Sequence, residues 1–368
     1  MVKDYFIGLI SGTSVDGVDC ALVQFEDGRP QLLASHGHAY PDELRDTVLA
    51  LCAREPSALA SLEKTHVELG ELFAEASNSL LAEAGIPAKN ITAIGSHGQT
   101  IWHEPDGDEP FSLQIADPNV IAQLTGITTV ADFRNSDIAV GGQGAPLAPL
   151  LHREVFSSTA IDRVIINIGG ISNTTFLPSD GNCLAFDTGP GNVLMDYWVN
   201  LHQNKSFDEN GSWAASGQKQ LDLLNVLLDE DYFTRAPPKS TGRELFNGEW
   251  LQEKLNACAS SYKPEDVQAT LLTFTATTIA NAIGQCADKR EVYVCGGGVH
   301  NVALMKELAR LAGEQSVHST SELGIDPDWV EAMCFAFLAK QTVEGVAVDS
   351  APFTGATAPV ILGTVHTP

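Results

Sequence analysis

FIGLISGTSVDGVDCALVQF, residues 6–25, sets two apolar segments, Phe6–Ile10 and Val18–Phe25, on either side of the small, polar run Ser11–Gly17. The flanks are rich in Ile, Val, Leu and Phe and read as strands. A plain hairpin would need only the Asp-Gly turn at Asp16–Gly17. Ser11, Gly12, Thr13 and Ser14 precede that turn, rich in donors and almost free of bulk. Such a loop can approach a ligand closely and aim successive N–H groups at an anion.

The order of elements around this hairpin is repeated. In the first half, strand, small-residue turn, strand (Val18–Phe25), an EDG turn and a strand at Gln31–Ser35 lead into helical patterns at Asp42–Ala53 and Leu59–Ala84. ITAIGSHGQTIW then reads as a strand entering a glycine loop, and GITTVADFR as another strand. In the second half, RVIINIGGISNTTFLP is strand, Gly-Gly turn, strand, and CLAFDTGPGN is a third strand ending in a loop. Helices are predicted at Val193–His202, Gln220–Leu228 and Val267–Gln285, and EVYVCGGGVHN is a strand entering a glycine loop. A helix at Val302–Ala312 and a strand at Gln315–Ser319 follow, then a helix at Trp329–Thr342 and the strand-like APVILGTV. The fold class is α/β, with two duplicated domains. The expected division is 1–135 plus about 345–368 for the first domain and 136–344 for the second.

Composition narrows the partners. The 368 residues carry a formal net charge of −26, which argues against nucleic acid and anionic membranes, whose phosphates this surface repels. Seven cysteines, at 20, 52, 183, 258, 286, 295 and 334, lack any C-x-x-C pair and read as reduced thiols. The start, MVKDYFIGLISG, is too briefly apolar for a signal peptide, and no run approaches a membrane span. A cytoplasmic protein is expected.

Three glycine loops close predicted strands, at Ser11–Gly17, Asp187–Asn192 and Gly296–Asn301. Ligands of open α/β sheets bind at such strand ends. DTGPGN also opens a helix, whose N-terminus favours anions. Each loop alone can be a turn that needs glycine, but three together point to a bound phosphate compound. Neither G-x-x-x-x-G-K-[ST] nor G-x-G-x-x-G opening a strand–helix unit is present.

The acids near these loops are Asp16, Asp19, Asp132, Asp187 and Glu331. Asp16 is either half of a hairpin turn or a holder of Mg²⁺ through its waters, since Mg²⁺ takes one or two carboxylates beside phosphate oxygens. Asp187 follows the apolar CLAF and precedes TGPGN, where a carboxylate suits a base in phosphoryl transfer. Glu331 opens an otherwise apolar helix as a surface or capping residue, or as a ligand contact. Arg134 ends TTVADFR, where it could grip an anionic group bidentately. Lys239 and Arg243, in PPKSTGRELF, either meet phosphate or pair with acids. His97, in GSHGQT, and more weakly His103 are further candidates, and no zinc spacing occurs.

The blocks GLISGTSVDGVD, GSHGQT, VADFR, GGQGAPL, NIGGISN, DTGPGN, KSTGRE and CGGGVHN resemble those of the anhydro-N-acetylmuramic acid kinases of peptidoglycan recycling. These belong to the sugar-kinase, heat-shock ATPase and actin superfamily. Ile10 and Val15 stand where Met and Leu are usual. The resemblance implies two RNase-H-like domains with ATP in the cleft between them, Mg²⁺, and a homodimer. It implies that Asp187 activates a water and that Gly12, Thr13, Ser14, Val15, Asp16, Gly17, Val18 and Asp19 hold the ATP phosphates. Nucleotide contacts are further expected at Gly169, Gly170, Gly189, Gly296, Gly297, Gly298 and Asn301. Sugar contacts are expected at His97, Arg134 and Glu331. The implied reaction opens a 1,6-anhydro amino sugar with water and phosphorylates its 6-oxygen. The alternatives are a kinase for an ordinary sugar hydroxyl and a nucleotide-gated binding protein.

Overall fold

The structure is a computed structural model that describes residues 4–26, 28–237, 239–258, 261–286, 290–313 and 317–368. Its strands are β1 (Tyr5–Ser11), β2 (Gly17–Glu26), β3 (Arg29–Ala39), β4 (Ile91–Glu104), β5 (Phe111–Ile115) and β6 (Thr129–Ala131). They continue with β7 (Asp162–Ile168), β8 (Ile171–Leu177), β9 (Leu184–Pro190), β10 (Arg290–Cys295), β11 (Val317–Ser319) and β12 (Thr364–His366). Two compact units result: the chain up to Val155 with Trp329–Pro368, and Phe156–Asp328.

In the first unit the sheet order is β12-β6-β4-β1-β2-β3, with β5 paired to β4. β1 is antiparallel to β2 and parallel to β4. Its seven residues are all buried, as a central strand covered on both faces requires. The second unit has order β11-β10-β7-β8-β9, with β7–β8–β9 antiparallel and β10 parallel to both β7 and β11. Leaving aside β5 and β12, each sheet reads third, second, first, fourth, fifth. Tight turns supply the antiparallel meander, and helices supply the crossovers that parallel pairs need. The duplication expected from the sequence is therefore present in the strand order.

Helix Leu62–Ala84 stops where Gly85 adopts φ 67, and its buried stripe, including Leu69, Phe73 and Leu80, joins the core of β1 and β2. In the second unit helix Pro264–Gly284 starts with Pro at its first turn and Glu265 and Asp266 beside it. It is buried on most faces, with Leu271, Phe274 and Ile279 in the core under β7 and β10.

Several elements differ from the sequence reading. β4 runs through GSHGQT to Glu104 and folds back on β5, so those glycines lie in a strand. Likewise β9 extends to Pro190, which puts Asp187 inside a strand. Residues 136–155 and 329–344 fall in the first unit, because helix Val330–Val343 lies across β1 and β4. Gly8 and Gly95 permit this crossing. A Cβ on Gly8 would sit 1.7 Å from the Ala332 carbonyl oxygen, and one on Gly95 would sit 2.0 Å from that of Phe335. The terminal strand is only Thr364–His366, since the chain buries Leu362 and turns at Gly363 (φ 92) before pairing with β6. Asp27 of the EDG turn, and Gln315 and Ser316 of the predicted strand ahead of Val317, lie outside the described residues. All seven cysteines are free thiols.

Candidate active site

The loop between β1 and β2 is held from below. Tyr40 donates through its hydroxyl to Ser11 Oγ (3.0 Å), which donates to Gln99 Oε1 (2.6 Å). Burial pushes the Tyr40 phenol well up, so it stays a donor. Val15 is 1% exposed and has φ 53, a conformation that costs a β-branched residue about 1–3 kcal/mol. Three contacts hold it there: its N–H donates to Gly12 O (3.2 Å), Arg45 Nε donates to Val15 O (3.0 Å), and Tyr40 N donates to Asp16 O (3.2 Å). Among the described residues, the Thr13 and Ser14 amides have no backbone acceptor. Thr13, Asp16 and Asp19 are exposed, Gly12, Ser14 and Gly17 half-buried, and Val18 points into the core. Ser14 Oγ donates to Asp16 Oδ1 (2.8 Å). Two exposed carboxylates with hydroxyl neighbours suit a Mg²⁺ that keeps most of its waters and binds phosphate oxygens. They do not make an all-protein cage, and no cluster of three or more His, Cys, Asp or Glu fit for a metal occurs among the described residues.

The second group in the first unit centres on Arg134. Its Nε donates to His97 Nε2 (2.9 Å) and its Nη1 to Gly144 O (2.7 Å). Because His97 Nε2 accepts, the ring proton lies on Nδ1 and is donated to Gly98 O (3.0 Å). Burial, then Arg134, keeps His97 neutral, its pKa well below the usual 6.5. Both ring nitrogens of His97 are thus engaged inside the unit, and His97 orients Arg134. The Nε–H and one Nη1–H of Arg134 are used to fix its orientation. Phe335, from the helix that carries Glu331, lies 4.7 Å from the His97 ring. Burial, then Glu331, pushes the Cys334 thiol up to about 12 while Arg134 pulls it down, so both residues act on one point. Glu331 is half-buried in the first turn of its helix.

One residue of this group escaped the sequence reading. Asp137 is fully buried and accepts from Gly144 N (2.7 Å), Thr354 Oγ1 (2.9 Å) and Ser350 Oγ. It pins the loop whose Gly144 carbonyl holds Arg134. The available signal was an acid on the inward side of the short helix Phe133–Ile138, too brief for periodicity to reveal.

Three histidines here are neutral, the buried His97 and His152 (the latter lowered to about 3 by burial) and the half-buried His103 (lowered to about 4 by burial and then Arg134). Each gains a proton on unfolding below pH 6.5, so stability is full above that value and lost as pH falls toward the depressed folded values. Urea unfolding at pH 7 and pH 5 should show a loss of up to about 1.4 kcal/mol per pH unit for each histidine. His152→Gln should flatten that slope. An unchanged slope would mean His152 is not buried neutral.

In the second unit Asp187 is 8% exposed on β9, opposite Asn173 of β8. The KSTGRE segment closes over it: Asp187 N donates to Lys239 O (3.0 Å), and Thr241 N donates to Asp187 Oδ2 (2.9 Å). Tyr232 donates through its hydroxyl to Asp187 O (2.6 Å).

The glycine loops of this unit are largely self-bonded. Gly191 N and Val193 N donate to Gly170 O, and Asn192 N donates to Gly169 O. The two loops are thus clasped together at the start of helix Val193–Gln203, whose first amide, Val193 N, is committed to Gly170 O. Gly189 pairs with Ser172 within the sheet. Gly296 N donates to Pro327 O (2.8 Å), and Asn301 Oδ1 caps helix Val302–Leu311 through Leu304 N (3.0 Å). Gly298 packs on Ile168, whereas the Gly297 Cα faces open space. Past Asn301, a groove of about 380 Å³ has an apolar floor that includes Ala214, Ala269 and Ala303 and basic side chains at Lys219, Lys306 and Arg310. The sequence reading missed this groove, whose walls come from three separate helices.

Strand order, hairpin loop and glycine turns define an α/β fold of two duplicated RNase-H-like halves, the actin-like ATPase class. A solved structure, the (R)-2-hydroxyglutaryl-CoA dehydratase component A of Acidaminococcus fermentans, shares this fold with a TM-score of 0.50 at 12% identity, over 91% of this chain and 96% of that one. The family profile described as anhydro-N-acetylmuramic acid kinase matches residues 4–368. Relatives of that name from Saccharophagus degradans (47% identical, 100% of both chains) and Coxiella burnetii (49%, 100% of this chain and 98% of that one) align throughout. One from Shewanella oneidensis is 48% identical over 99% of this chain and 98% of its own. The chain belongs to the anhydro-N-acetylmuramic acid kinase family. It is an enzyme, a kinase. Among the described residues no helix is long and apolar enough to cross a membrane.

Proposed function

We propose that the protein uses ATP and water to convert 1,6-anhydro-N-acetylmuramic acid to N-acetylmuramic acid 6-phosphate and ADP. The observation that carries this reading is Asp187, buried on β9 and hydrogen-bonded to Thr241 N, in a chain that matches this kinase family along its length. Asp187 takes one proton from a water as its oxygen bonds to the anomeric carbon. The bond from that carbon to the bridging 6-oxygen breaks, and the 6-oxygen bonds to the γ-phosphorus as ADP leaves. The strained acetal and the capture of its departing oxygen assist each other. The proton on Asp187 returns to solvent.

The Gly12–Asp19 loop meets the phosphates through the uncommitted amides of Thr13 and Ser14. Mg²⁺, held through water by Asp16, would supply charge neutralisation when bound. Gly297 marks the nucleotide's approach, and the base lies in the groove past Asn301, where an alanine floor suits a flat ring. Arg134, oriented by His97 and Gly144, meets the lactyl carboxylate, and Glu331 contacts the sugar. A cytoplasmic location fits the free thiols and the supply of ATP. A homodimer follows from the family resemblance alone, and sedimentation velocity tests it.

Coupled ADP release should occur with 1,6-anhydro-N-acetylmuramic acid and not with N-acetylmuramic acid or N-acetylglucosamine. In oxygen-18 water the label should appear on the anomeric carbon. Turnover only on an open sugar, without label there, would move the chemistry to an ordinary hydroxyl kinase.

A further inference from the structure

Lys239 is 8% exposed, an expensive place for an ammonium. Among the described residues it forms no ion pair within 4 Å. Its Nζ donates to Tyr232 O (3.1 Å) and stands 4.7 Å over the Tyr232 ring and 5.8 Å from that of Phe186. Tyr232 is 1% exposed, and its hydroxyl donates to the Asp187 carbonyl. The Lys239 carbonyl in turn accepts from Asp187 N, and two residues on, Thr241 N holds the carboxylate.

These contacts close a ring. Lys239 ties the 239–241 segment to Tyr232, Tyr232 is tied to the Asp187 backbone, and Asp187 is tied at its amide and its carboxylate back to that segment. Removing the ammonium takes away one of the ties that hold the segment presenting the Thr241 amide. The charge acts in the same direction. Burial, then Arg235, lowers the Lys239 pKa, and the negative charge of Asp187 supports it. Lys239 must reciprocally favour the ionised form of Asp187.

We propose that Lys239 is a positioning residue for Asp187, acting through Tyr232 and the Thr241 amide to fix the carboxylate's orientation. The proposal rests on Asp187 being the catalytic base. It assigns the KSTGRE segment a task in the chemical step, where carboxylate alignment controls the rate and leaves substrate affinity untouched.

The test measures kcat, both KM values and the pH dependence of kcat for Lys239→Met, Lys239→Arg, Tyr232→Phe and Asp187→Asn. Lys239→Met should lower kcat about 10- to 100-fold with both KM values unchanged. Its acid limb should move to higher pH, because a carboxylate that loses a nearby cation is harder to ionise. Lys239→Arg, which keeps charge and donor, should recover most of kcat and the wild-type acid limb. Tyr232→Phe removes one hydroxyl from the same ring and should lower kcat without shifting the limb as far, so the proposal remains testable should Lys239→Met fail to fold. Wild-type kcat and an unmoved limb in folded Lys239→Met, or an unaffected Tyr232→Phe where Lys239→Met does not fold, would overturn the positioning role while an inactive Asp187→Asn leaves the base assignment standing. An active Asp187→Asn would overturn both.

Discussion

Asp187→Asn is expected to bind ATP and the anhydro sugar with near-normal affinity and to lose turnover by about three orders of magnitude. The substitution keeps shape and leaves an amide oxygen that can still accept from Thr241 N, so the β9 geometry and its tie to the KSTGRE segment survive. What disappears is the proton acceptor. General-base catalysis by a placed side chain contributes about 10²- to 10⁴-fold. Water must lose a proton as it bonds to the anomeric carbon, and the amide cannot take it. Titration calorimetry for each substrate, alongside coupled ADP release, separates binding from chemistry. Turnover within a few-fold of wild type would remove Asp187 from the role of base.

Gly95→Ala is expected to destabilise the first unit strongly for the addition of a single methyl group. The added Cβ would lie 2.0 Å from the Phe335 carbonyl oxygen and 3.0 Å from Ala339 Cβ, contacts with helix backbone that no rotamer change relieves. Helix Val330–Val343 would have to lift from β4, yet it also rests on β1 at Gly8 and carries Glu331 and Phe335 into the Arg134 group. Overpacking against side chains costs about 1–3 kcal/mol, and against fixed backbone about 3 kcal/mol or more. That is a large share of the roughly 5–15 kcal/mol that holds a domain folded. Thermal melting should show a fall of about 6–12 °C. Gly37→Ala, on β3 with nothing within 4 Å of the added methyl, is the matched control and should melt like wild type. Equal melting of both variants would mean the helix does not cross β4 at Gly95.

The two expectations draw on different kinds of information. Asp187 stood out in the sequence because an acid directly after CLAF and before TGPGN has few structural reasons to be there. Gly95 did not stand out. In GSHGQT it read as part of a loop, since glycine in a strand interior weakens the strand unless another backbone must come close. The backbone that comes close belongs to a helix more than two hundred residues later in the chain, and no local pattern announces it. The same holds for His97, whose Nε2 accepts from Arg134, and for Asp137, whose partners Ser350 and Thr354 lie more than two hundred residues later in the chain.

Local chemistry along the chain was enough to establish the α/β class, the repeated hairpin-and-crossover order, the donor-rich loop at Ser11–Gly17 and the isolated acid at Asp187. Each depends on residues adjacent in sequence, where side-chain period, turn preference and donor density act within a few positions. Folding decided the tasks of individual groups. It committed the Asn192 and Val193 amides to Gly169 and Gly170, set His97 against Arg134, and buried Lys239 against Tyr232. A hydrogen bond is satisfied by whichever partner three-dimensional packing brings within about 3 Å, and that partner is often far away along the chain.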